Sequence, residues 1–285
     1  MREVTHKIDA NGLSHFVRDS GDDDAPVAIL LHGFPDSSAV WGKVTPLLVA
    51  AGFRVIAPDL RGFGHTDMAH KVSDYDIATG SVPDILALMD ALEISNAHIV
   101  GHDFGAPVAW TLAAQHPTRY KTLTAISVGH MRAFLDAGAE QKWRSLYMVF
   151  HQLLGLCEAA YRFNNWALLR KHWSAHGDIN EAIDLLGRPG RLTAGLNWYR
   201  ANASLKRMIF TPPVGSLGEE IVSIPTLGIW SAGEKYLTEQ QMIASAKYVD
   251  APWRYEKIEN ASHWISYDAP EALAQIMMQH WRLHA

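Results

Sequence analysis

A single cysteine, Cys157, stands in this 285-residue chain, so no disulfide can close within it. That scarcity favours a reducing cytosol, and Cys157, with nothing nearby to stabilise a thiolate, reads as a small buried apolar group. No apolar run approaches the roughly 20 residues that a membrane-spanning helix needs. The opening Met1-Arg2-Glu3-Val4-Thr5-His6-Lys7 lacks the apolar stretch of a signal peptide. The formal net charge is −5 with no block of like charge, which argues against nucleic acid or an anionic membrane as partner. Gly62-Phe63-Gly64-His65-Thr66-Asp67 lacks the third glycine of a dinucleotide loop. His172 and His176 share a helix face at i, i+4 but have no Glu after the first and no obvious third ligand, so no metal and no cofactor are expected.

What is present is a soluble globular composition, 48% apolar and 19% charged, with length for one large domain carrying an insertion. Buried parallel strands are predicted at Val27–Leu31, Arg54–Ala57, Ala97–Val100, Leu123–Val128 and Thr226–Trp230, with a last strand at Arg254–Ile258. Helical patterns at Ser38–Ala50, Ile77–Leu92 and Pro107–Gln115 lie between them, and another runs from Pro270 to about Leu283. An antiparallel hairpin, Val4–Ile8 with Ser14–Arg18 around Asn11-Gly12, precedes the rest. Alternating strands and helices imply a mostly parallel sheet of about eight strands, flanked by helices, with ligands bound at the carboxyl ends of the strands.

The alternation breaks between His130 and Val214. That stretch has helical periodicity and four tryptophans, Trp143, Trp166, Trp173 and Trp198, and it closes on Thr211-Pro212-Pro213-Val214-Gly215. It reads as a helical cap inserted into a core of residues 1–129 and 215–285. Packing of cap on core accounts for most of the tryptophans. An aromatic lid for an apolar or aryl substrate is the additional inference.

Gly101-His102-Asp103-Phe104-Gly105 follows the third of these strands and opens a helix. Glycines on either side of a central residue permit a tight strand-to-helix turn that exposes that residue's side chain. A carboxylate there is already an anion at neutral pH and can attack a saturated carbon without first losing a proton. Taken alone, the motif fits equally well an Asp that caps the following helix.

Three other sites bear on the choice. His32-Gly33-Phe34-Pro35 follows the strand Val27–Leu31, where the amide of Phe34 can join that of Phe104 as an oxyanion hole. The same loop reads as a turn before the helix, with Asp36 or Ser37 as its cap. Among 15 histidines, His263 lies in the loop between the last strand and the last helix, whereas His280 and His284 read as solvated. Glu234, just past Thr226–Trp230, is placed to orient His263 from the far side, with Asp136 in reserve. The chain order nucleophile, acid, histidine is that of elbow hydrolases.

His-Gly-Phe-Pro-Asp-Ser followed by Trp41, then Asp59-Leu60-Arg61-Gly62-Phe63-Gly64, Gly-His-Asp-Phe-Gly-Ala and Ala-Ser-His-Trp, together resemble the epoxide hydrolases of the α/β-hydrolase superfamily. The likeness runs from about Val27 to the C-terminus. It implies Asp103 as nucleophile, His263 as base, Glu234 as acid, and Phe34 and Phe104 as oxyanion donors. Leu146-Tyr147-Met148 and Asn197-Trp198-Tyr199-Arg200 are similar to the segments carrying that family's tyrosine pair, so Tyr147 and Tyr199 are expected to hold the epoxide oxygen. Trp41 is expected at the substrate, and His151, one helical turn from Tyr147, is expected either to touch the pocket or to pack. The expected partners are a small apolar epoxide and water, and a homodimer is left open.

The chain departs from the family pattern at three points: Glu stands for the commoner Asp at 234, Cys157 for a proline, and His151 for an aromatic. Haloalkane dehalogenases share the carboxylate attack but carry Trp after the nucleophile and Asn in the oxyanion loop, where this chain has Phe104 and Phe34. Fluoroacetate dehalogenases carry Arg beside the nucleophile, where Phe104 and Ala106 stand here. A catalytically silent ligand-binding protein on the same fold is the alternative from another class, and it needs no complete catalytic set.

Overall fold

The computed structural model describes residues 3–203 and 220–284. Eight strands form one sheet in the order β1-β2-β4-β3-β5-β6-β7-β8. The first two, β1 (Glu3–Ala10) and β2 (Leu13–Ser20), make the predicted antiparallel hairpin. Its turn puts Asn11 and Gly12 at φ 47° and 77°, the left-handed conformation that the Asn-Gly pair tolerates. Next come β3 (Val27–Leu31), β4 (Arg54–Pro58), β5 (Ala97–His102), β6 (Tyr120–Ile126), β7 (Thr226–Gly233) and β8 (Trp253–Ser262). β2 also pairs antiparallel with β4, and the pairings among β3 to β8 are parallel. β5 is buried at every position, as its unbroken apolar run requires when both faces carry helices. Each fully buried Leu or Ile in these strands contributes about 1.5–3 kcal/mol.

Helices α1 (Thr45–Ala50), α2 (Val82–Ala91) and α3 (Gly105–Gln115) follow β3, β4 and β5. Two predicted helices are broken in the structure. Ser38–Ala50 divides into a 3-10 turn, Ser38–Trp41, capped by Ser37, and α1, because Pro46 suits only the first turn of a new helix. Ile77–Leu92 opens with a π turn, Ile77–Ser81, and becomes α2 where Pro83 lies at its start. The strand predicted at Leu123–Val128 begins three residues earlier and ends at Ile126.

Between β6 and β7 the described chain is helical: α4 (Met131–Leu135), α5 (Gly138–Arg144), α6 (Tyr147–His151), α7 (Leu156–His172, interrupted at Phe163–Trp166), α8 (Ile179–Gly187) and α9 (Arg191–Asn202). The breaker Thr211–Gly215 and the end of the segment at 214 lie outside the described residues. Beyond β7 come α10 (Glu239–Ala244), and beyond β8 the short α11 (Ile265–Asp268) and α12 (Pro270–Leu283). His280 on α12 is 1% exposed, which corrects its reading as solvated: it shares the helix face that Trp281 and Met277 bury.

Topology places the site. β3 lies between β4 and β5, so the chain leaves β3 toward one side of the sheet and returns to its other side. The loops at the carboxyl ends of β3 and β5 therefore diverge over a shared crevice, the usual ligand position in such sheets. The helices between β6 and β7 lie over these ends: Tyr199 of α9 packs edge-on against Phe34 and Phe104, and the Trp198 indole N–H donates to the carbonyl of Arg61 at 3.1 Å.

Candidate active site

Asp103 has φ 50°, a left-handed conformation uncommon for a residue with a Cβ. Its neighbours make that turn feasible. A Cβ on Gly101 would collide with the backbone of Gly105, and one on Gly105 with the carbonyl of Leu31. The elbow thus crowds three stretches of main chain together, and only glycine fits at both flanks.

The carboxylate is held from two sides. Oδ1 accepts from the amide of Phe34 at 2.8 Å. Oδ2 faces His263 Nε2 at 3.6 Å, an ion-pair separation. His263 Nδ1 meets Glu234 Oε2 at 2.5 Å, and Glu234 Oε1 accepts from the amides of Tyr236 and Leu237 at 2.8 and 3.4 Å. The extra methylene of Glu is accommodated, since the carboxylate reaches the ring and its own loop at once. From the helical segment, Arg144 donates to the carbonyls of Glu234 and Leu237 and fixes that loop. Asp136 is exposed and paired with Arg132, so the reserve acid drops out.

Charge follows from this geometry. Burial pulls the His263 pKa down, but Glu234 and Asp103 on either side push it up to about 10. Burial works against Asp103 and Glu234 as anions, yet His263 holds both below the ordinary carboxylate range. The free site therefore contains an imidazolium between two carboxylates.

The loop that follows β3 is set by His32. Its Nε2 accepts from the amide of Leu60 at 2.9 Å, which leaves the proton on Nδ1 to donate to the Gly33 carbonyl at 2.8 Å. Burial lowers its pKa and keeps it neutral for that task. The Asp59-Leu60-Arg61-Gly62 stretch is structural: Asp59 accepts from Ser38 and His65 amides, and Arg61 forms a buried two-point pair with Asp84 at 2.7 Å. Phe104 opens α3, where first-turn amides have no intrahelical acceptor, so its N–H is available beside that of Phe34.

Opposite Asp103 lie Tyr147 and Tyr199, from α6 and α9, with ring centroids 6.0 Å apart and edge to face. Burial first, then Asp103 and neighbouring tyrosines, raise both phenols well above the ordinary value, so both keep their protons. Asp103, Phe104 and the two tyrosines line one cavity of about 150 Å³. Its other walls are largely aliphatic: Ile77, Val128, Met131, Leu135, Met148 and Leu237, with Phe134.

Two candidate substrate contacts are not on that lining. Trp41 is 1% exposed and packs edge-on to His102 beneath the elbow, where a large indole fills core rather than pocket. His151 is fully buried behind the tyrosines, 4.3 Å from the Tyr199 ring and hydrogen-bonded to Tyr161 Oη at 2.7 Å. The aromatic lid is corrected only in its tryptophans: Trp173 and Trp198 are buried as packing, Trp143 is 75% exposed, and the aromatics that the helical segment brings to the cavity are Phe134, Tyr147 and Tyr199. His172 and His176 part company, one on Tyr161 and the other on Asp36. Among the described residues no cluster of His, Cys, Asp or Glu has the makings of a metal site, and no helix is long and apolar enough to cross a membrane. Cys157 is buried and its thiol is pushed up to about 12 by burial, as an inert core group should be.

His102 and Tyr236 belong to the site although motif reading passed over them. His102 Nε2 donates to the carbonyl of His263 at 2.9 Å, and burial, followed by the His263 charge, lowers its pKa to about 4. The Tyr236 ring stands edge-on to His263 at 5.2 Å. Adjacency to Asp103 and to Glu234 was the available signal.

Residues 26–270 match the alpha/beta hydrolase fold family. The chain belongs to that family. It is 30% identical to the AB hydrolase superfamily protein YfhM of Bacillus subtilis over 96% of each chain. It is also 30% identical to Epoxide hydrolase 3 of Xenopus tropicalis, over 92% of this chain and 73% of that one. Epoxide hydrolase A of Mycobacterium tuberculosis is 27% identical, with 95% of each covered. Among solved structures, an epoxide hydrolase from Bacillus megaterium, caught with a diol product, shares 23% identity over 97% of this chain and 100% of its own. Its TM-score of 0.86 marks the same fold. The resemblance to epoxide hydrolases is thus borne out across nearly the whole chain.

Proposed function

We propose that this hydrolase converts an apolar epoxide and water to a vicinal diol through an ester on Asp103. The observation that carries the reading is the single cavity where the Asp103 carboxylate faces Tyr147 and Tyr199. Asp103 Oδ2 attacks an epoxide carbon and its C–O bond breaks. The departing oxygen is a poor leaving group unless donors stabilise it. Phenols that stay protonated supply those donors, whereas ionised carboxylates cannot.

Esterification removes the charge on Asp103, so His263 loses one of the two anions that hold its proton. Facing Glu234 alone, it gives up its proton, which replaces the one the tyrosines pass to the opened epoxide oxygen, and it can then take a proton from water. That water attacks Cγ of the ester, and Oδ1 gains charge against the Phe34 and Phe104 amides. The Cγ–Oδ2 bond then breaks, Oδ2 taking the proton of the new carboxyl, to release the diol and restore the Asp103 anion and the His263 imidazolium. One base and one oxyanion hole are each worth roughly 10²–10⁴ in rate. Phe34 and Phe104 offer no side-chain N–H to a halide, which supports epoxide over haloalkane.

Residues 130–214 serve in this reading as a cap on the core of residues 1–129 and 215–285. The aliphatic and methionine walls suit flexible alkyl epoxides at least as well as aryl ones. The test is diol release from alkyl and aryl epoxides by the parent, with His263→Gln expected to consume one equivalent and retain a mass adduct on the peptide carrying Asp103. Rapid turnover by His263→Gln without adduct, or halide release in place of diol, would refute it.

A further inference from the structure

Asp36 is 4% exposed at the end of the oxyanion loop, and the two steps above give it no task. Its oxygens bind two separate parts of the molecule. Oδ1 accepts from His176 Nε2 at 2.7 Å, and Oδ2 accepts from the Trp264 indole N–H at 2.9 Å. His176 lies between α7 and α8 of the helical segment, and Trp264 directly follows His263.

The direction of each bond is fixed. His176 Nδ1 accepts from the amide of Asp178 at 2.9 Å, so the ring carries its proton on Nε2 and donates it to Asp36. The same ring stands 4.8 Å from Trp264. A carboxylate removed from water to this extent needs both donors, since losing either leaves a buried charge under-satisfied.

We infer that Asp36 is a positioning residue that couples the seating of the helical segment to the placement of His263, acting on ester hydrolysis rather than on ester formation. The inference rests on the two-step reading above. Ester formation uses Asp103, the Phe34 amide and the tyrosines. The Phe34 turn has its own restraints, the Asp36 amide donating to the Gly33 carbonyl at 3.0 Å and His32 donating to the same oxygen, and neither involves the Asp36 side chain. Ester hydrolysis adds the demand that His263 be held at water, and Trp264 is the adjacent link in that loop.

Single-turnover runs with enzyme in excess of an alkyl epoxide, quenched and read by intact mass and diol yield, separate the two steps. Asp36→Asn keeps an acceptor for Trp264 but turns an amide N–H toward the His176 N–H, so the link to the segment breaks at constant shape. Its ester formation is expected within about twofold of the parent and its ester hydrolysis about tenfold slower, the scale of one hydrogen bond to a charged group. The adduct then becomes the dominant enzyme form at steady state. His176→Phe, which keeps a ring in place of the imidazole, should reproduce the effect and serves if Asp36→Asn does not fold. His176→Gln, which retains a donor, should recover most of the loss. The double variant His176→Phe/Trp264→Phe should be no slower than the slower single one, because both act through Asp36. Equal slowing of both steps, or an unchanged ratio of the two in folded variants, overturns the coupling while leaving the ester intact. Absence of adduct in the parent and every variant would overturn the ester reading together with it.

Discussion

In the proposed cycle His263 cannot be a base while it sits charged between Asp103 and Glu234, and it becomes one when esterification removes the first of these anions. Its folded pKa of about 10 lies above the ordinary 6.5, so the stabilisation this charge brings is complete below pH 6.5 and is lost as pH rises toward 10. Asp103→Asn imitates the neutral ester while leaving Glu234 in place. An imidazole NMR titration of that variant should show His263 losing its proton well below the parent's midpoint, and its melting temperature should fall less between pH 7 and 10. Coincident titrations would mean that Asp103 does not govern the base. At this scale the sequence spoke through residue types in motif positions: an acid in the elbow, a histidine in the last loop, a glutamate past β7. It was silent on His102, whose ring bond to the carbonyl of residue 263 spans 161 positions. It also misplaced Trp41, because a motif neighbour need not be a cavity neighbour.

At the scale of elements, glycine decides what the loops can do. A Cβ at Gly33 would meet the whole Asp103 side chain, Cβ and carboxylate alike, and one at Gly105 would meet the carbonyl of Leu31, so neither position admits a side chain without a shift of main chain. Gly33→Ala is therefore expected to displace Asp103 and lose about 10²-fold or more in kcat, the scale of a displaced oxyanion contact. Both Gly33→Ala and Gly105→Ala should lose about 1–3 kcal/mol of stability, the usual cost of forcing extra volume into packed structure. Calorimetry and steady-state rates on the two variants test this, and parental stability and kcat in either would contradict the elbow as described. Strands and their order were legible because buried parallel strands are short apolar runs between turn residues. Helix ends were less so: Pro46 and Pro83 each start a new helix inside an apparently continuous pattern. The tryptophans missed the cavity for a related reason. Helical periodicity shows that Trp173 and Trp198 face inward but not which inner surface they meet.

Across the whole molecule, one sheet brings together residues far apart in the chain, and the helical segment adds the donors that the sheet lacks. Asp103, the proposed nucleophile, comes from the end of β5, Glu234 from beyond β7 and His263 from beyond β8, while the tyrosines come from α6 and α9. That convergence was inferable from the rule that such loops share one rim of the sheet. The tyrosine pair was not: nothing in periodicity sets Tyr147 and Tyr199 apart from the chain's other tyrosines, and only resemblance singled them out. The central claim is that the oxygen delivered to the diol comes from Asp103 and is then replaced from water. One turnover in heavy-oxygen water, followed by mass analysis of the peptide bearing Asp103 and of the product, tests it directly. The account predicts label in the peptide and none in the diol; label in the diol with an unlabelled peptide would contradict it.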